Sequence, residues 1–150
     1  MAKRKPAKAS TAPVPPTCSC LVLCDDVIVS HGRDKHDLRG IIGAIGVPQL
    51  PAIAGNLVVY VRLSNVHSQQ RVTVSFAPAD DHEADPLWEF DAQLVSRNDP
   101  LSVHTLVTRV PPFRVERGGR YVLTVKHDGI PIAQTPVQIM APGPSPEGQS

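Results

Sequence analysis

The chain has 150 residues, of which 41% are apolar, 10 are glycine and 16 are proline, with one Trp, two Tyr and three Phe as its only aromatics. That apolar share suits a globular domain and excludes a wholly disordered or collagen-like chain. The formal charge of +1 conceals +4 from Lys3, Arg4, Lys5 and Lys8 within residues 1–17 and −2 over residues 18–140, so the domain itself has no basic footprint for nucleic acid or anionic lipid.

Pro6, Pro13, Pro15 and Pro16 crowd the start and Pro142, Pro144 and Pro146 the end. Residues 1–17 and 141–150 therefore read as disordered Pro-rich tails around one β domain, residues 18–140. A core of this size buries about two-thirds of its unfolded surface and needs neither disulfide nor metal. The basic start runs into Ala, Pro, Ser and Thr rather than an apolar signal segment, and no apolar run is long enough to span a bilayer, which predicts a cytoplasmic protein. Cys18, Cys20 and Cys24 fall within seven residues without a distant partner, the pattern of reduced thiols.

In chain order, the run Cys18 to Val29 predicts a strand buried on both faces, with Cys18, Cys20, Val22 and Cys24 on one face and Leu21 and Leu23 on the other; Asp25 and Asp26 end its apolar part or make a bulge. Ser30 to Asp37 has a loop composition. A second strand follows from Leu38 to Val47, where Gly40, Gly43 and Gly46 suggest a bend or a close backbone approach. Pro48 to Asn56 is a connection. Leu57, Val59, Val61 and Leu63 alternate with Val58, Tyr60 and Arg62, which predicts a central strand, and Val72, Val74 and Phe76 alternate with Arg71, Thr73 and Ser75, which predicts a strand with one solvated face. Beyond an acidic loop come Trp88, Phe90, Ala92 and Leu94 on an inward face, with Trp88 the largest core anchor. A strand from Val103 to Val110 then ends at Pro111 and Pro112. Tyr121, Leu123 and Val125 face inward, Asp128-Gly129 makes a two-residue turn, and the last strand, Ile130 to Ile139, carries Pro131 and Pro136 and is predicted to be irregular and at a sheet edge.

Eight short strands without crossover helices predict an all-β fold, a two-sheet antiparallel sandwich, with a barrel as the alternative. Leu23-Cys24-Asp25-Asp26-Val27, then Gly40-Ile41-Ile42, Pro48-Gln49-Leu50-Pro51-Ala52 and Val59-Tyr60-Val61-Arg62-Leu63, and finally Gly119-Arg120-Tyr121-Val122-Leu123-Thr124-Val125 with Asp128-Gly129 resemble a family of small bacterial proteins known only as a domain of unknown function. The resemblance covers about residues 20–140. It implies an immunoglobulin-like sandwich and carries no site residues. The Gly-x-Tyr at Gly119 to Tyr121 is also similar to the tyrosine corner of such domains, although Arg117 stands where an acid is expected and no Cys follows at position 123.

Cys18, Cys20 and Cys24 would supply three zinc ligands, but side chains two apart on a strand stand about 7 Å from one another, too far for neighbouring ligands on a tetrahedral ion. His31, Asp34, His36 and Asp37 have metal or acid/base capability, diluted by Arg33 and Lys35. Asp80, Asp81, Glu83 and Asp85 offer oxygen ligands without the glycine and terminal Glu of a calcium loop. There is no nucleophile elbow and no phosphate-binding glycine loop. The expectation is a non-catalytic protein-interaction or structural module, without cofactor, whose partner is another protein that binds at its loops or strand edges, with no membrane role. A metal or redox protein using Cys18, Cys20 and Cys24 is the alternative, and a nucleic-acid-associated protein using the basic tail a second.

Overall fold

A computed structural model describes residues 14–30, 35–96, 99 and 101–142, and among these there is no helix. The expectations that fall on residues 1–13, 31–34 and 143–150 lie outside the described residues. The all-β expectation holds, but the described residues form eleven strands in three sheets rather than eight in two. β1 (Thr17–Ser30), β2 (Lys35–Ile42), β5 (Leu57–Ser64) and β8 (His104–Val110) form a sheet in the order β2-β1-β5-β8. β3 (Ala44–Gly46), β6 (Gln70–Pro78), β7 (Trp88–Leu94), β10 (Gly119–His127) and β11 (Ile130–Met140) form a second in the order β3-β11-β10-β6-β7. β4 (Ala52–Ala54) and β9 (Phe113–Val115) pair as a third.

Three differences separate the structure from the sequence reading. The strand predicted from Leu38 to Val47 is two strands in different sheets, because the chain crosses between sheets at Gly43: Ile42 pairs with Leu23 on one side, and Ala44 pairs with Gln138 on the other. β3 runs parallel to β11, so the fold is not purely antiparallel. β4 and β9 lie inside segments read as connections. At three residues each they are too short to show a period of two, and prolines flank both.

The two larger sheets face each other across one core. Leu21, Leu23, Val59, Val61 and Leu63 meet Val72, Val74, Phe76, Leu123 and Val125 there, and β9 adds Val115. β5 is central, as its unbroken apolar run predicts, with β1 on one side and β8 on the other. Phe76, rather than Trp88, is the hub: it is fully buried and stacks on Tyr121 at 5.3 Å and Trp88 at 5.6 Å, with Phe113 edge-on at 5.8 Å. Trp88 lies on β7, the outermost strand of its sheet, and is half-buried. β6 also departs from its expected solvated face. Ser75 is only 6% exposed, because residues Asp81 to Pro86 roof a depression whose floor includes Ser75 and Thr124.

Asp128 and Gly129 have φ of 53° and 77°, the pair of left-handed residues that closes a two-residue hairpin with the twist of its strands. β11 is irregular, with a register shift opposite Val125 and Lys126 where Pro131 pairs. It is not a simple edge, since β3 covers Gln138 to Met140. On the same flank Thr135 Oγ1 donates to the Leu21 carbonyl at 2.8 Å and joins the two sheets.

Candidate functional site

β1 holds the cysteines, and its register sets their faces. Cys18 pairs with Leu63 but Cys20 with Arg62, so a bulge inserts one residue between them. Cys18 therefore packs against the central core while Cys20, Val22 and Cys24 lie on the outer face, which corrects the single cysteine face predicted from simple alternation. The bulge precedes Asp25 and Asp26, and the strand runs on through both. Cys18 Sγ donates to the Cys20 carbonyl at 3.4 Å and Cys24 Sγ to that of Val58 at 3.6 Å. Burial pushes all three thiol pKa values up, so each thiol stays protonated further into the alkaline range than usual. These are apolar, quiet thiols rather than poised nucleophiles.

His36 and Asp37 were expected in a loop but belong to β2; His31 and Asp34 lie outside the described residues. The His36 ring has a definite partner, since Nδ1 lies 2.8 Å from the Tyr60 hydroxyl. Along β1, Val29 pairs with His36 and Val22 with Tyr60, seven residues apart, which is about 23 Å on a straight strand. The contact therefore requires the β1–β2 hairpin to curl back over the outer face of its own sheet. That covers Tyr60, Val58 and Cys24, all buried although none belongs to the central core cluster. Gly40 lies in this curl with φ of 65°, and a Cβ there would run into the Asp25 carboxylate. Glycine meets both demands without strain.

The acidic residues Asp80, Asp81, Glu83 and Asp85 are exposed, as expected of a loop. Asp81 caps its own turn, accepting at Oδ1 from the Glu83 amide at 3.0 Å and at its carbonyl from Ala84 at 3.2 Å. Among the described residues no three His, Cys, Asp or Glu side chains gather as a metal-ligand set.

The flank opposite Gly43 and Thr135 is built differently. β7 ends one sheet and β8 the other, and between them lies a cleft of about 330 Å³ lined by Gln93, Leu94, Val95, His104, Thr105 and Leu106. Val95 is 59% exposed, and Leu101 in the adjoining connection is 84% exposed. β7 was legible as a strand, but its edge position was not, because edge status depends on which strands find partners.

A polar cluster also escaped the sequence reading. Gln70 and His127, 5% and 6% exposed, meet at the end of the β6–β10 pair. The alternation Tyr121, Leu123, Val125 continues to His127, and that spacing was the available signal.

The bulged first strand, the curled hairpin, the two facing sheets and the parallel β3–β11 pair define a small all-β domain whose chemistry-bearing side chains are dispersed. The chain belongs to a family of unknown function (DUF6941), whose model matches residues 19–140. The family resemblance expected over about residues 20–140 is thus borne out. No curated protein matches the chain. Among the described residues no helix is long and apolar enough to cross a membrane.

Proposed function

We propose that the chain is a non-catalytic protein-interaction module, an immunoglobulin-like cytoplasmic domain of bacterial type that receives an extended segment of a partner protein along its open flank. The observation that carries this reading is the cleft between β7 and β8, where two strands each have a partner on one side only among the described residues and exposed Val95 and Leu101 adjoin. A strand added there gains main-chain ladder hydrogen bonds, and its alternate side chains enter the cleft. The immunoglobulin-like assignment is supported by the Tyr121 hydroxyl, which donates to the Arg117 carbonyl at 2.6 Å, four residues upstream, in the manner of a tyrosine corner. The acidic loop and the free length of β11 are further surfaces for contact.

The test is cross-linking of the full chain in lysate of its native host, followed by mass spectrometry. A protein cross-linked to β7, β8 or their connection, and lost on Val95→Asp with Leu101→Asp, is the expected result. Recovery of no specific partner, or of one whose cross-links lie elsewhere and survive both substitutions, overturns the proposal.

A further inference from the structure

One side chain holds the segment that leads into β1. Gln70 Nε2 donates to the Val14 carbonyl at 2.7 Å, and Gln70 Oε1 accepts from the His67 amide at 3.0 Å. The same Nε2 lies 3.3 Å from His127 Nε2. An amide nitrogen carries two hydrogens and no lone pair to offer. With one hydrogen on Val14, the other points at His127, whose Nε2 must then be the bare acceptor nitrogen. The proton of the neutral ring sits on Nδ1, which faces Asp128 Oδ2 at 3.8 Å. Turning the amide over would set its oxygen against the Val14 carbonyl and its NH2 against the His67 amide, losing two hydrogen bonds, so the network fixes both the amide orientation and the tautomer.

We propose that Gln70 and His127 form a proton-sensitive clasp on the segment entering β1. A proton taken from solvent at His127 Nε2 turns the acceptor into a donor facing another donor. Gln70 must then swing away, and the Val14 carbonyl loses its partner. The groups around the ring divide clearly. Asp128, on the adjoining turn and 65% exposed, is the carboxylate on the Nδ1 side. Gln70 of β6 faces Nε2. Val72 of β6 and Ile130 of β11, paired opposite His127, are apolar, and the intervening Lys126 belongs to the opposite face of the sheet. His67, whose amide donates to Gln70, has its ring engaged with Asn65 Oδ1 at 2.8 Å. The clasp therefore acts on Val14, at the approach to β1.

Site-resolved NMR of the full chain from pH 8 downward tests this. The His127 ring nitrogens, the Val14 carbonyl carbon and the exchange rate of the Gln70 side-chain amide are followed together. They are expected to change with one midpoint, the protection of the amide relative to a free Gln amide at the same pH falling about fivefold on the acid side, the scale of one net hydrogen bond. In Gln70→Met the Val14 signal should sit at its acid-side position at every pH while His127 still titrates. A Val14 signal that ignores His127 titration overturns the proposal, and so does a ring that stays neutral until the domain unfolds. The wild-type comparison alone decides the matter if the variant does not fold.

Discussion

On one flank the chain steps from the four-stranded to the five-stranded sheet through Gly43 alone and Thr135 reaches across to Leu21; on the other, β7 and β8 lie at the margins of their sheets with a cleft between them. The same two sheets are thus hydrogen-bonded to each other on one side and separated by a cleft on the other, where the β7–β8 connection crosses. A sandwich shares one core between its flanks, so stability can be concentrated where the sheets are joined and the opposite margin left available for recognition. The cost of substitution should therefore fall steeply from one flank to the other.

The largest expected effect is on the joined flank. Leu23→Ala and Ile139→Ala, at positions 0% and 1% exposed, should each cost about 2–5 kcal/mol in urea unfolding, whereas Leu106→Ala, half-buried on the open flank, should cost about 1 kcal/mol or less. Equal losses would remove the distinction between the flanks. Next comes Gly40→Val in the hairpin curl, where a strained φ and the contact with Asp25 together should cost about 1–3 kcal/mol. Adding Asp25→Ala should recover the part due to the contact, and no recovery would mean that the backbone alone demands glycine. Thr135→Val should cost about 1 kcal/mol by removing the hydrogen bond that the Leu21 carbonyl accepts; a neutral result would assign the inter-sheet stitch to apolar packing. On the open flank, Val95→Asp and Leu101→Asp should each change stability by about 0.5 kcal/mol or less while abolishing partner capture.

The smallest effect concerns the thiols. Since burial raises the pKa of Cys18, Cys20 and Cys24, their protonated form is favoured in the folded state. That contribution is fully present below the ordinary thiol pKa and is lost as pH climbs through the raised values. Stability should decline on the alkaline side, less so in Cys24→Ala, and alkylation at neutral pH should be slow, slowest at Cys24. Rapid labelling at neutral pH would contradict a buried role.

Alternation made β5, β6, β10 and the Asp128-Gly129 hairpin readable, because one buried face imposes a period of two that any register must respect. It failed where a single residue changes the count. The bulge between Cys18 and Cys20 reverses a face without altering composition, and Gly43 moves the chain to another sheet inside one apolar run. The burial of Ser75 and Tyr60 was hidden for a different reason: what covers them is distant in sequence or turns back from the same strand. The cleft was hidden too, since it is made by two strands that do not pair. His127 alone was within reach, two positions beyond a correctly read face.

The Thr135–Leu21 bond spans 114 residues of chain, and β3 finds its partner only in the last residues of β11. During synthesis the first strands therefore emerge long before the segment that joins the two sheets exists. Such long-range pairing slows folding, and it leaves the margin of the nascent first sheet waiting for the end of the chain. Truncation ahead of Thr135 should yield a species that collapses without locking, open to chaperone capture in a way the finished domain is not.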